Sequence, residues 1–156
     1  DIRTPEDAEK LRPGETAGLG GLTVRTLRST DEGVAFLIKT DGLSIYHAGD
    51  LNWWKWEEDT PADREEAGRA YREQIDTLRG ERIDLAFIPV DPRQGTDALL
   101  GLDYFMRTVG AGYAVPMHSF GDPAFYGILK TDPRTEPYRS RILFYKKRGD
   151  TLRPDC

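Results

Sequence analysis

Two histidines, His47 and His118, and three aspartates, Asp31, Asp50 and Asp91, stand where apolar runs of this sequence begin or stop. Asp50 follows the run Leu43–Tyr46 inside His47-Ala48-Gly49-Asp50-Leu51-Asn52. Asp91 follows Ile83–Val90, His118 follows Tyr113–Met117, and Asp31 lies in the polar turn Ser29-Thr30-Asp31-Glu32-Gly33. Loops held at strand ends are where reactive groups concentrate, because the scaffold fixes them while solvent still reaches them. Carboxylate oxygens and neutral imidazole nitrogens suit zinc, iron or manganese. A carboxylate can also bridge two ions about 3.5–4 Å apart. Each residue has a plainer reading beside this one. Gly-Asp is ordinary turn chemistry, Asp31-Glu32-Gly33 is a good turn, and Asp91 sits before a proline. His118 read alone is a buried, hydrogen-bonded histidine, and His47 is a supporting group sooner than a ligand. Trp53, Trp54 and Trp56 fall within four positions, more than one core face can take, so at least one is expected to line a cleft or cover the site.

The elements that must position these residues follow from periodicity. Thr4-Pro5-Glu6-Asp7 starts a short helix ending near Leu11. Leu22–Leu27 alternates as a half-buried strand. Val34–Lys39 and Leu43–His47, joined by Asp41-Gly42, form a hairpin. Thr60-Pro61-Ala62-Asp63 caps a helix whose stripe is Ala67, Tyr71, Ile75 and Leu78, with Gly80 as its stop. Ile83–Val90 is apolar throughout, as in a strand buried on both faces. A helix over 96–109, in spite of Gly101, precedes the strand Tyr113–Met117. A helical piece near Pro123–Lys130 and a late strand, Arg141–Tyr145, complete the chain. The order implies an α/β layout (α+β in its antiparallel start) that brings the four loops to one sheet edge.

At 156 residues the chain is expected to form a single domain over 1–156. Its net charge of −5 argues against a nucleic-acid surface. The lone cysteine, Cys156, excludes a disulfide framework and fits a cytoplasmic setting. No apolar run approaches the roughly 20 residues of a membrane helix.

Ser29–Val34, His47-Ala48-Gly49-Asp50-Leu51-Asn52-Trp53 and Pro116-Met117-His118 resemble the metallo-β-lactamase-fold metallohydrolases. The likeness runs from about residue 1 to 145 and is closest to a bacterial subgroup with His-Ala-Gly-Asp-Leu-Asn and Pro-Val-Asp-Pro-Arg, here Pro89–Arg93. It implies the C-terminal portion of an αββα sandwich and a hydrolase of esters, amides, lactones or phosphoesters. In that reading Asp50 bridges two zinc ions (iron or manganese being alternatives) and His118 is the last histidine ligand. Asp31 or Thr30 stands where another histidine is usual. Trp53, Asp91 and Arg93 shape the pocket for a small-molecule substrate. The family's His-x-His-x-Asp-His motif is absent from the sequence. The resemblance therefore implies a partner, either an N-terminal half of the same protein or a second chain, and exposed sheet edges that it would pair. The isolated chain is expected to be inactive. The other reading open at this point is a non-catalytic member or fragment acting as a binding or assembly module.

Overall fold

The computed structural model describes residues 8, 10–120, 122–147 and 149–153. Among these residues six strands form one sheet in sequence order: β1 (Thr16–Leu19), β2 (Leu22–Arg28), β3 (Val34–Thr40), β4 (Leu43–His47), β5 (Leu85–Pro89) and β6 (Tyr113–Met117). β1 to β4 form an antiparallel meander, whereas β4, β5 and β6 run parallel. The parallel pairs need crossovers. Helix α1 (Pro61–Asp76) supplies the first, and a 3-10 turn (Pro92–Asp97) followed by helix α2 (Leu100–Thr108) supplies the second. Helix α3 (Pro123–Thr131) follows β6.

Local chemistry accounts for these bounds. Thr60 and Asp63 form a reciprocal capping box at the start of α1, with Pro61 in the first helical position. The Asp41-Gly42 turn sets Thr40 opposite Leu43. Gly20-Gly21 does the same for Leu19 and Leu22, making a strand of Thr16–Leu19 that four weakly patterned residues did not announce. The late strand expected over 141–145 is reduced to one bridge, Ile142 beside Ala114, with the Leu143 amide on the Ala114 carbonyl. The expected helix over 96–109 begins later, at Leu100, because Thr96 and Asp97 belong to the 3-10 turn Pro92–Asp97, which is kinked at the non-helical Gly95. The helix expected over 4–11 falls mainly outside the described residues.

Register assigns the side chains to two faces. Leu27 pairs with Ala35, Leu37 with Tyr46, Tyr46 with Ala86, and Ala86 with Ala114, so all of these share one face. All are buried, and they join Tyr71 and Ile75 of α1 with Leu102, Phe105 and Met106 of α2 in one core. Tyr46 stacks on Phe105 with ring centroids 4.9 Å apart. The opposite face carries Leu22, Val34, Phe36, Ile38, Leu43, Ile45 and Phe87, none of which is fully buried, beside Val24, Thr26 and Val115, which are. Leu22 and Leu43 are 39% and 44% exposed. A sheet apolar on both sides, with its helices α1 and α2 on one, is half of a layered structure. Among the described residues much of the second face is thus without cover.

Two helical glycines explain how the loop after β4 is seated. A Cβ on Gly68 of α1 would lie 2.7 Å from the Trp53 ring, and one on Gly101 of α2 would lie 2.0 Å from Asn52 Oδ1. Glycine costs a helix interior about 1 kcal/mol relative to alanine. Here it opens the space into which Asn52 and Trp53 fit.

Candidate functional site

The parallel strands bring their C-terminal ends to one edge. The Ala48 amide donates to the Phe87 carbonyl at 2.9 Å, and the Val90 amide to the Met117 carbonyl at 2.8 Å. These bonds continue the ladder past β4 and β5, so the residues beyond them, Asp50, Asp91 and His118, emerge side by side. β3 starts at this edge, since Phe36 faces His47, which brings in the turn carrying Thr30 and Asp31.

Asp50 and His118 meet. Asp50 Oδ1 lies 3.1 Å from His118 Nε2, and the two side chains are 33% and 32% exposed. The contact is an ion pair when the imidazole is protonated. Both groups are held from behind. Gly49 has φ +54°, and a Cβ there would meet the Val34 carbonyl oxygen at 2.7 Å, so only glycine turns the chain here. The Trp54 indole N–H donates to the Asp50 carbonyl at 2.9 Å. Thr30 clamps the far side, its hydroxyl accepting from the Asn52 amide at 3.0 Å and donating to the Asn52 carbonyl at 2.7 Å. His118 has φ +59°, and Phe120 has φ +50°; among the described residues these are the non-glycine residues in the left-handed region. Such a conformation costs on the order of 1–3 kcal/mol and persists where the surroundings impose it, often at functional sites. Beneath it Ser119, fully buried, shares a 2.9 Å hydrogen bond with the Tyr126 hydroxyl.

Asp91 is also fully buried. It accepts from the Arg93 amide at 3.0 Å, from Arg93 Nε at 2.9 Å and from Arg93 Nη2 at 2.5 Å. Burial pushes its pKa up, but the Arg93 hydrogen bonds and charge outweigh burial and hold it below the usual carboxylate range. Arg93 itself lies over the rings of Trp56 and Phe120, at 5.4 and 5.1 Å from their centroids.

The tryptophans divide in a way the sequence did not reveal. Trp53, expected in the pocket, packs instead between α1 and α2, against Gly68, Tyr71 and Tyr104, with Arg72 over its ring. Trp54 takes the position beside the site, its ring 5.8 Å from His118, and Trp56 stacks on Trp54 at 5.5 Å. Alternation along an irregular loop gives no period from which to choose among neighbours, whereas Gly68 and Gly101 hold the answer far away in sequence.

His47 Nδ1 accepts the Gly49 amide at 3.0 Å. That bond occupies the Nδ1 lone pair and leaves the proton of the neutral ring on Nε2, so His47 faces outward as a donor and not as a ligand. Asp31 is exposed; its amide bonds Ser29 Oγ, and its carboxylate forms no ion pair with the described residues. Among the described residues no group of three or more His, Cys, Asp or Glu side chains could hold a metal. The donor types at Asp50 and His118 therefore fit a first-row metal, while their number falls short of the three or four protein ligands such sites use. No described helix is long and apolar enough to cross a membrane.

Neither family models nor curated proteins match this chain. Among solved structures it is similar to a Thermotoga maritima protein assigned to the metallo-β-lactamase superfamily as an inferred Zn-dependent hydrolase, at 19% identity and TM-score 0.37. That match covers 70% of this chain and 47% of the other. It is also similar to the metallo-β-lactamase-fold protein YhfI of Bacillus subtilis, at 14% identity and TM-score 0.45, over 69% of this chain and 41% of that one. A third is CmlA, a diiron β-hydroxylase of Streptomyces venezuelae, at 11% identity and TM-score 0.46, over 71% and 25% respectively. The chain is thus a mixed α/β structure similar to metallo-β-lactamase-fold proteins, spanning less than half the length of each chain it matches.

Proposed function

We propose that this chain contributes one wall of a metal-dependent hydrolase site, with Asp50 and His118 as metal ligands and the remaining ligands on a second layer that covers the open face of the sheet. The observation that carries this reading is the Asp50–His118 contact at 3.1 Å, made by a histidine in a left-handed backbone at the sheet edge. A residue needed only to fill space has no reason to keep that strain. The second layer would come from an N-terminal portion of the same polypeptide or from another chain, and its inward side would be apolar to match Phe36, Ile45 and Phe87.

The chemistry a bound zinc (or iron or manganese) pair supplies is a hydroxide available near neutrality and polarisation of a carbonyl or phosphoryl oxygen. The chain's own residues do the rest. Trp54 fixes the Asp50 backbone and shields one side of His118 from water. Thr30 prevents the loop from swinging away. His47 presents an N–H at the same edge, and Asp91 locks Arg93 at the mouth. Substrates in this reading are small molecules with an ester, amide, lactone or phosphoester bond.

Zinc titration by calorimetry tests the proposal. The 156-residue chain should bind zinc weakly, and a longer form carrying the second layer should bind at least a hundredfold tighter. Asp50→Ala and His118→Ala should each abolish that gain. Tight binding by the longer form that survives both substitutions would remove these residues from the site. The competing reading, a non-catalytic assembly module, draws on the same uncovered face. It predicts association with the second layer that needs no metal, in a complex without hydrolytic activity after zinc, iron or manganese is restored.

A further inference from the structure

Beside Trp56 lies a cavity of about 270 Å³ whose lining includes Lys55, Trp56, Glu57, Arg64, Arg93 and Asp97. Three cationic side chains around one small cavity run against the sign of a chain whose net charge is −5. Their partners differ. Lys55 Nζ pairs with Asp97 at 2.9 Å. Arg93 is pinned by Asp91 through Nε and Nη2, and its Nη1 bonds nothing among the described residues. Arg64 Nη2 donates to the Glu57 carbonyl at 2.6 Å, and its guanidinium has no carboxylate partner among the described residues. The cavity lining therefore includes one guanidinium without a carboxylate partner among the described residues and a second whose orientation is fixed.

That fixing is informative. An exposed arginine normally keeps its rotamer freedom. Arg93 is 63% exposed but is tied to a fully buried carboxylate and laid over two aromatic rings. A guanidinium ordered in advance binds an oxyanion with less entropy lost at the moment of contact. The contacts also give a direction. The cavity adjoins Trp56, Trp56 stacks on Trp54, and Trp54 lies against His118, so an aromatic path leads from the cationic end to the Asp50–His118 pair.

We infer that this cavity is an oxyanion subsite, held by Arg64 and Arg93, for a small substrate whose carboxylate or phosphate sits there while its apolar part lies along Trp56 and Trp54. The inference rests on the hydrolase reading and gives it a substrate class: anionic at one end, apolar or aromatic in the middle, with the labile bond toward His118.

Tryptophan fluorescence of the full chain tests it, in EDTA so that no metal takes part. Phenylacetate and phenyl phosphate serve as the charged probes, phenylacetamide as the neutral one, and inorganic phosphate as the anion without a ring. Saturable quenching by a charged aromatic probe is expected. Arg64→Gln should weaken it at least tenfold, Arg64→Lys less, and phenylacetamide should fail to saturate. Arg64 makes only a surface carbonyl bond, so its variants should keep their far-ultraviolet circular dichroism. A preference between phenylacetate and phenyl phosphate identifies the oxyanion. Equal binding of phenylacetamide and phenylacetate, unchanged affinity in Arg64→Gln, or no saturation by either charged probe would overturn the subsite. If the probes bind while the longer form takes up no zinc, the subsite stands and the hydrolase reading falls; the reverse result removes the subsite alone.

Discussion

Tyr46 and His47 are neighbours in β4 that point to opposite faces of the sheet, and their surroundings differ as the faces differ. Tyr46 is 1% exposed and stacks on Phe105 of α2 within a core that unites β2 to β6 with both crossover helices. His47 is exposed, and its ring contact is a tilted one with Phe87, itself only half-buried. Both faces are largely apolar: Leu27, Ala35, Leu37, Tyr46, Ala86 and Ala114 on one, Val34, Phe36, Ile38, Ile45 and Phe87 on the other. Among the described residues the first is packed throughout and the second only in part. Composition alone could not separate them, because apolarity measures what a face can bury and register decides what it does bury. The site sits where the two faces meet at the strand ends.

Substitutions can break or sharpen this contrast. Phe105→Ala, on the packed side, should cost about 3–5 kcal/mol of stability through the cavity it leaves, read by urea denaturation. Arg93→Ala comes next. It strands the buried Asp91 carboxylate, and an unpaired charged group of this kind costs on the order of 2–3 kcal/mol.

The same pair has a pH signature. The native Asp91 pKa is depressed, so its contribution is fully present above the unfolded value near 3.9 and is lost as pH falls through the lower native value. Acid unfolding of the wild type should therefore steepen below about pH 4, and Arg93→Ala should flatten that limb. An identical pH profile in both proteins would show that the pair contributes nothing to stability.

Gly101→Ala should cost about 1–3 kcal/mol, because a Cβ meets Asn52 Oδ1 at 2.0 Å. It should also disturb the fluorescence of the tryptophan loop. The smallest effect is expected on the open face. Phe87→Ser should change the stability of the isolated chain by less than about 1 kcal/mol, yet weaken association with a second layer. A loss as large as that of Phe105→Ala would mean that the two faces are equally packed and would sink the comparison.

Much of the sheet was legible because strands β2 to β6 carry either alternation or a continuous apolar run, and the capping and turn residues of Thr60-Pro61 and Asp41-Gly42 act locally. Asp50, Asp91 and His118 could be placed at one edge for the same reason, since parallel strands must end together. The limits were non-local. Thr16–Leu19 is a strand because β2 lies beside it, not because of its own residues. Leu143–Tyr145 looks like a strand but has only the edge of β6 to follow, and it stops pairing after one bridge. The choice of Trp54 over Trp53 depends on space left in α1 and α2. The left-handed backbone of His118 has no signature in the letters Pro-Met-His.

The glycines that receive the loop have a consequence for engineering. Residues 47–54 read as a self-contained unit that could be grafted onto another α/β scaffold, yet the shape of that segment is impressed from outside. Gly68 and Gly101 are parts of its mould, cast in two other helices and separated from it by 14 and 47 residues (68 − 54 and 101 − 54). A transplant that carried the segment without both hollows would bring the aspartate but not its aim. The portable object is a loop together with two absences.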